Sequence, residues 1–135
     1  AKREPRGLRI MLLTPGCFGG SPVAWLPAWL ASGRGRFRGD LPALTLAAYV
    51  GGPPEPVTGW NLRARRARAL RRAVPAGSVY RLTLDDATRG DPGAVVALCE
   101  ALWGASLDTA TPARPDALLA APHADGFGLV IPGLE

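Results

Sequence analysis

The chain has 135 residues, 47% of them hydrophobic, with a net charge of +5, enough for one buried core and too apolar for a disordered chain. The 17 glycines and 14 prolines favour short elements joined by loops over long helices, and two cysteines exclude a disulfide framework. The charge is unevenly spread: residues 1–80 carry 13 basic and 3 acidic side chains, residues 81–135 carry 3 and 8. A basic half of this kind attracts polyanions by phosphate neutralisation and counterion release.

Residues 1–6 read as a basic lead-in. Leu8–Thr14 is a short apolar strand, stopped by Pro15-Gly16. Beyond it, Trp25, Leu26, Trp29 and Leu30 recur at helical spacing behind Ser21-Pro22, which predicts a helix that Pro27 keeps short or irregular and Gly33 ends. Arg34–Arg38 (RGRFR) is a small basic loop around Phe37. Leu44–Val50 predicts a second strand, ended by Gly51-Gly52-Pro53-Pro54, and Val57–Leu62 a short third.

Arg63–Arg72 holds six arginines in ten residues. Val79–Leu84 alternates, placing Val79, Arg81 and Thr83 on one face and Tyr80, Leu82 and Leu84 on the other. Asp85-Asp86 reads as a turn. Asp91 with Pro92 opens a helix over Gly93–Trp103, closed by Gly104, with Val95, Leu98, Cys99 and Leu102 as its apolar stripe. Residues 105–125 read as an Ala/Pro-rich loop with a weak helical turn at Asp116–Ala121, and Phe127–Ile131 as the last strand. The order fits an α+β fold of the βαββαβ ferredoxin-like (RRM-like) kind, an antiparallel sheet with two helices on one face, in a single domain over residues 1–135.

Two basic segments carry the candidate chemistry. In Arg63–Ala76, the guanidiniums of Arg63, Arg65, Arg66, Arg68, Arg71 and Arg72 can each pair with phosphate. Gly77 and Ser78 would let backbone N–H groups approach a phosphate, and Trp60 offers a stacking face. The competing reading is a solvated basic helix with Leu62, Ala69 and Leu70 against the core. Arg34, Arg36 and Arg38 around Phe37 form a second basic site suited to single-stranded RNA, unless Phe37 is core.

Other motifs carry less. Gly16-Cys17-Phe18-Gly19-Gly20 lacks the Gly-Lys-Ser/Thr ending of a phosphate-binding loop. His123, the single histidine, with Asp125 nearby, is the one candidate general base. No Cys/His spacing predicts a metal site, and no cofactor is expected. No apolar run reaches the roughly 18 residues that cross a bilayer, so no membrane partner is expected and a cytoplasmic location is.

Three segments in this order resemble one known family. They are RIMLLTPGCFGG (Arg9–Gly20), VTGWNL (Val57–Leu62) and, most distinctive, RRAVPAGSVYRL (Arg71–Leu82); the closing GFGLVIPG (Gly126–Gly133) is similar to that family's glycine-rich end. The family is the third subunit of the type III-B (Cmr) CRISPR effector assembly, within the RAMP superfamily. The resemblance implies a RAMP-type ferredoxin-like domain corresponding to the later part of a longer, two-domain pattern. It also implies a non-catalytic role in antiviral defence: binding the 5′ handle of the guide RNA, beside the large polymerase-like subunit and the backbone RAMP subunits. The alternatives are a RAMP-type guide-processing endonuclease and a purely structural subunit that touches only protein.

Overall fold

The computed structural model describes residues 4–18, 23, 25–107 and 127–135. Alternation in two segments sets the centre of the molecule. In β1 (Gly7–Leu12), Leu8, Ile10 and Leu12 point to one face and are buried, while Arg9 and Met11 face solvent. The period is two because successive side chains of a strand leave opposite faces. Further along the chain, Val79–Leu84 repeats the pattern and pairs antiparallel with β1, with Leu8 opposite Leu82 and Ile10 opposite Tyr80. Each apolar side chain therefore meets another across the ladder.

Numbered in chain order, the other strands are β2 (Arg34–Gly35), β3 (Leu44–Val50), β4 (Glu55–Val57), β5 (Trp60–Asn61), β6 (Arg66–Ala67), β7 (Arg71–Ala73), β8 (Val79–Leu84) and β9 (Val130–Leu134). Five of them form one sheet in the order β2-β3-β8-β1-β9, every neighbouring pair antiparallel. The remaining four make two small ladders, β4 with β7 and β5 with β6.

One helix and buried residues of the connection between β1 and β3, among them Leu26, Leu30, Phe37 and Leu41, cover the buried face. Helix α2 (Pro92–Leu102) starts where the sequence predicts: the Asp91 carboxylate accepts the Ala94 N–H, and Pro92 occupies the first turn. Its buried residues Val95, Leu98 and Leu102 join the sheet's apolar set in one core cluster. Before it, Asp85 caps a single turn, α1 (Asp86–Arg89), accepting both the backbone N–H and the hydroxyl of Thr88. The Thr88 hydroxyl first, then its N–H, hold the Asp85 carboxyl below its ordinary range.

The predicted first helix is replaced by one 3-10 turn, Ala28–Leu30. Pro27 sits immediately before it in an extended conformation, supplies no N–H, and biases Leu26 away from helical backbone; Ser21 and Pro22, the expected start, lie outside the described residues. The apolar residues with helical spacing still bury part of the core. Leu26 and Leu30 are buried, and the Trp29 indole N–H donates to the Leu107 carbonyl at 3.1 Å. Helical cover thus comes from the α1–α2 segment alone among the described residues.

The last strand also shifts from the predicted 127–131. Gly128 takes a left-handed φ of 70° and its N–H donates to the Pro15 carbonyl, so a turn precedes the strand and pairing with β1 starts at Val130. Pro132 falls inside β9, which an edge strand tolerates because one side of its ladder is unpaired.

A basic hairpin as the candidate nucleic-acid interface

Between β3 and β8 the chain leaves the sheet and returns as a hairpin in two tiers. At its base β4 pairs with β7, Val57 opposite Arg71; farther out β5 pairs with β6, Trp60 opposite Ala67. The returning arm has one residue more than the outgoing arm between those pairs, so the ladder is bulged and bent near Ala69-Leu70. At the tip, the Asn61 side-chain oxygen accepts the Ala64 N–H at 2.9 Å, and Arg65 takes a left-handed φ of 47°. A short polar side chain that captures a nearby N–H is what starts such a turn.

This overturns the basic-helix reading of Arg63–Arg72. Leu62 and Leu70, the residues that a helix would have packed inward, are 83% and 68% exposed. The hairpin offers no core to bury them, so arginine decides the character of the surface.

Arg63 and Arg65 stand in the tip turn, Arg66 in β6, Arg68 just beyond it, and Arg71 and Arg72 in β7; all six are exposed. Among the described residues, Arg63, Arg65, Arg66, Arg71 and Arg72 make no ion pair. From Leu41 to Leu84 the sequence holds a single acid, Glu55, against seven arginines. Like charges at this density raise the local potential and favour a polyanion. Trp60 is 58% exposed and lines a cleft of about 290 Å³ between hairpin and body, together with Val57, Arg68, Arg71, Cys17 and Phe127.

Gly77 and Ser78 lie at the hairpin's exit, but their donors are engaged within the chain. The Gly77 N–H donates to the Leu12 carbonyl at 2.7 Å, and the Ser78 N–H and hydroxyl both donate to the Pro75 carbonyl. Ser78 is 2% exposed. Gly77 has a φ of 85° and nothing near the position of a Cβ, so glycine serves the backbone conformation of the turn. In this conformation the pair ties the hairpin to β1 and leaves no N–H for a phosphate.

The RGRFR segment lies elsewhere. Arg34 pairs with Thr45 at the start of β3, whereas the hairpin leaves from the end of that strand, roughly 20 Å away at the usual rise per residue. Each arginine there has an internal contact. Arg34 is 3.8 Å from the Asp85 carboxylate, Arg36 donates to the Leu41 carbonyl at 2.7 Å, and the Arg38 guanidinium lies 5.8 Å from the Phe37 ring centre. Phe37 is 5% exposed and meets Trp29 edge-on; it is core, and offers no stacking face.

A third cationic group carries no signature in the sequence. Arg9 and Arg81 are cross-strand neighbours on the solvent face of the sheet, and the Glu135 carboxylate bridges them, 2.7 Å from Arg9 and 3.0 Å from Arg81. Hydrogen bonding from Arg81, with further help from both cations, holds that carboxyl below its ordinary range. Period-two alternation did mark Arg81 as outward; the partner 54 positions away was not readable.

His123 and Asp125, on which an endonuclease would turn, lie outside the described residues, as does the turn expected at 116–121. Among the described residues no group of three His, Cys, Asp or Glu side chains could hold a metal ion. No helix there is long and apolar enough to cross a membrane.

The model of the CRISPR-associated protein (Cas_Cmr3) family matches residues 2–133. This chain belongs to that family. The matched span contains the glycine-rich sequence after β1, the arginine hairpin and the Arg71–Leu82 segment. Cas_Cmr3 membership makes the chain a CRISPR-associated subunit of the type III-B complex, a multi-subunit effector assembly. No curated protein and no solved structure matches it.

Proposed function

We propose that this subunit is a non-catalytic binder of guide RNA, which it grips through the hairpin at residues 55–73. The observation that carries the reading is the set of exposed arginines on a projecting ladder, with an exposed tryptophan among them. Guanidinium groups supply phosphate contacts, and an aromatic face accepts a base of any identity. The RNA is the guide strand at its 5′ handle, as the family resemblance implies, and the protein neighbours are the large polymerase-like subunit and the backbone RAMP subunits, in the cytoplasm. We further read the fold as a ferredoxin-like RAMP domain. The order β3-β8-β1-β9 with all neighbours antiparallel supports this, since two interleaved βαβ units produce that order; the 3-10 turn stands where the first helix would be.

Replacing Arg71 and Arg72 together with Ala tests the reading. Each lost phosphate contact on single-stranded RNA lowers the slope of log affinity against log salt by roughly 0.7, so the double variant should lose about 1.4 for every RNA sequence. A slope equal to that of the unaltered chain removes both residues from the interface.

A further inference from the structure

Strand β7 presents its arginines to opposite sides. Arg71 lines the cleft that holds Trp60, and Arg72 lines a second one, about 390 Å³, with Trp25, Tyr49, Pro54, Val74 and Pro75. This volume is within the range of sites that order small ligands, about 300–1,000 Å³. Its aromatic wall is stiff. The Trp25 ring lies 4.9 Å from that of Tyr49 at 40°, and Tyr49 lies 5.1 Å from Tyr80. The Tyr80 hydroxyl donates to the Trp25 carbonyl at 2.7 Å. Burial, and secondarily Tyr49, push the Tyr80 phenol far above its ordinary pKa, so it stays a donor. A side chain at residue 51 would overlap the Tyr49 hydroxyl, so Gly51 keeps room for the ring. Trp25 remains 39% exposed.

We infer that this cleft holds one unstacked nucleobase of the RNA strand, its rim arginine Arg72 pairing with the adjoining phosphate. The inference rests on the hairpin reading above and extends it to residues outside the hairpin. An aromatic wall gives a base a flat partner of tolerant sequence preference, two prolines add rigid apolar sides, and the charged lining group is a cation. A strand crossing β7 between Arg71 and Arg72 would meet phosphate contacts on both sides. A proline-rich peptide also suits an aromatic groove, but none of the described lining residues is an acid that a basic peptide would need, and the arginine is shared with the hairpin surface.

The test uses the full chain with two ligands, an adenosine oligomer and the same backbone carrying abasic sugars. The unaltered chain should favour the base-bearing strand by about tenfold or more. Trp25→Ala should cut that preference about tenfold while keeping its affinity for the abasic strand, and Trp25→Phe should restore it. Equal preference in Trp25→Ala and the unaltered chain overturns the inference and leaves the hairpin reading standing. So does a parallel loss for both strands in both variants, which makes Trp25 a fold residue only. Crosslinking of Trp25 to a protein neighbour and not to RNA in the assembled complex overturns it in favour of a peptide occupant. Binding of neither strand by the unaltered chain overturns both readings.

Discussion

Gly35→Ala is expected to destabilise the chain by about 3 kcal/mol, the upper part of the range for forcing atoms into a filled site. A methyl at residue 35 would overlap the Trp29 carbonyl oxygen and lie 2.8 Å from its carbon. Neither neighbour can yield easily. The carbonyl belongs to the turn that buries Leu30, and the Trp29 indole is tied to Leu107. Moving the turn away would uncover Phe37, which packs on Trp29. Gly39→Ala is the control, because a Cβ there meets nothing within 4 Å. Denaturant unfolding of the two variants measures the difference; a Gly35→Ala chain as stable as the Gly39→Ala chain contradicts the packing described here. The glycine inside RGRFR thus lets the 3-10 turn lie against the sheet edge, whatever its arginines do.

Replacing Arg63, Arg65, Arg66, Arg68, Arg71 and Arg72 together with Gln is expected to have the largest effect on binding. If each guanidinium holds one phosphate of a single strand, the salt slope falls by about 4, and affinity near 0.1 M salt falls on the order of a thousandfold or more. Glutamine keeps much of each side chain's length, and these residues are exposed, so the fold should survive. Removing mutual repulsion should leave the melting temperature equal or higher. Fluorescence anisotropy across a salt series, beside a thermal melt, reads both quantities. A folded variant that binds within threefold of the unaltered chain contradicts the assignment.

The central sheet was legible because its signal is local. Leu8, Ile10 and Leu12, and Tyr80, Leu82 and Leu84, alternate over a few residues, and a half-buried strand requires that pattern. The Asp91-Pro92 helix start was legible for the same reason. Trp25, Leu26, Trp29 and Leu30 misled because helical spacing of apolar residues states only that they share a side, and Pro27 allows one turn to satisfy that condition. For Arg63–Arg72 the sequence left a helix open as the competing reading. Arginine and alanine both favour helices, so local preference opposed the hairpin; Asn61 at the tip and the prolines flanking its base were the available signals. Trp25 and Tyr49 stand 24 positions apart and meet only through tertiary packing. The composition of the arginine tract was readable from the sequence, but the side of β7 that each guanidinium faces became readable only with the register.

Ultraviolet crosslinking of the assembled effector complex, with the adducts mapped by mass spectrometry, tests the central claim most directly. RNA adducts should fall on the hairpin at residues 55–73, with Trp60 foremost, since an exposed aromatic ring stacked on a base is well placed to crosslink. A complex that retains its guide RNA yet gives adducts on other subunits and none on this hairpin would make the chain a structural piece and contradict the account.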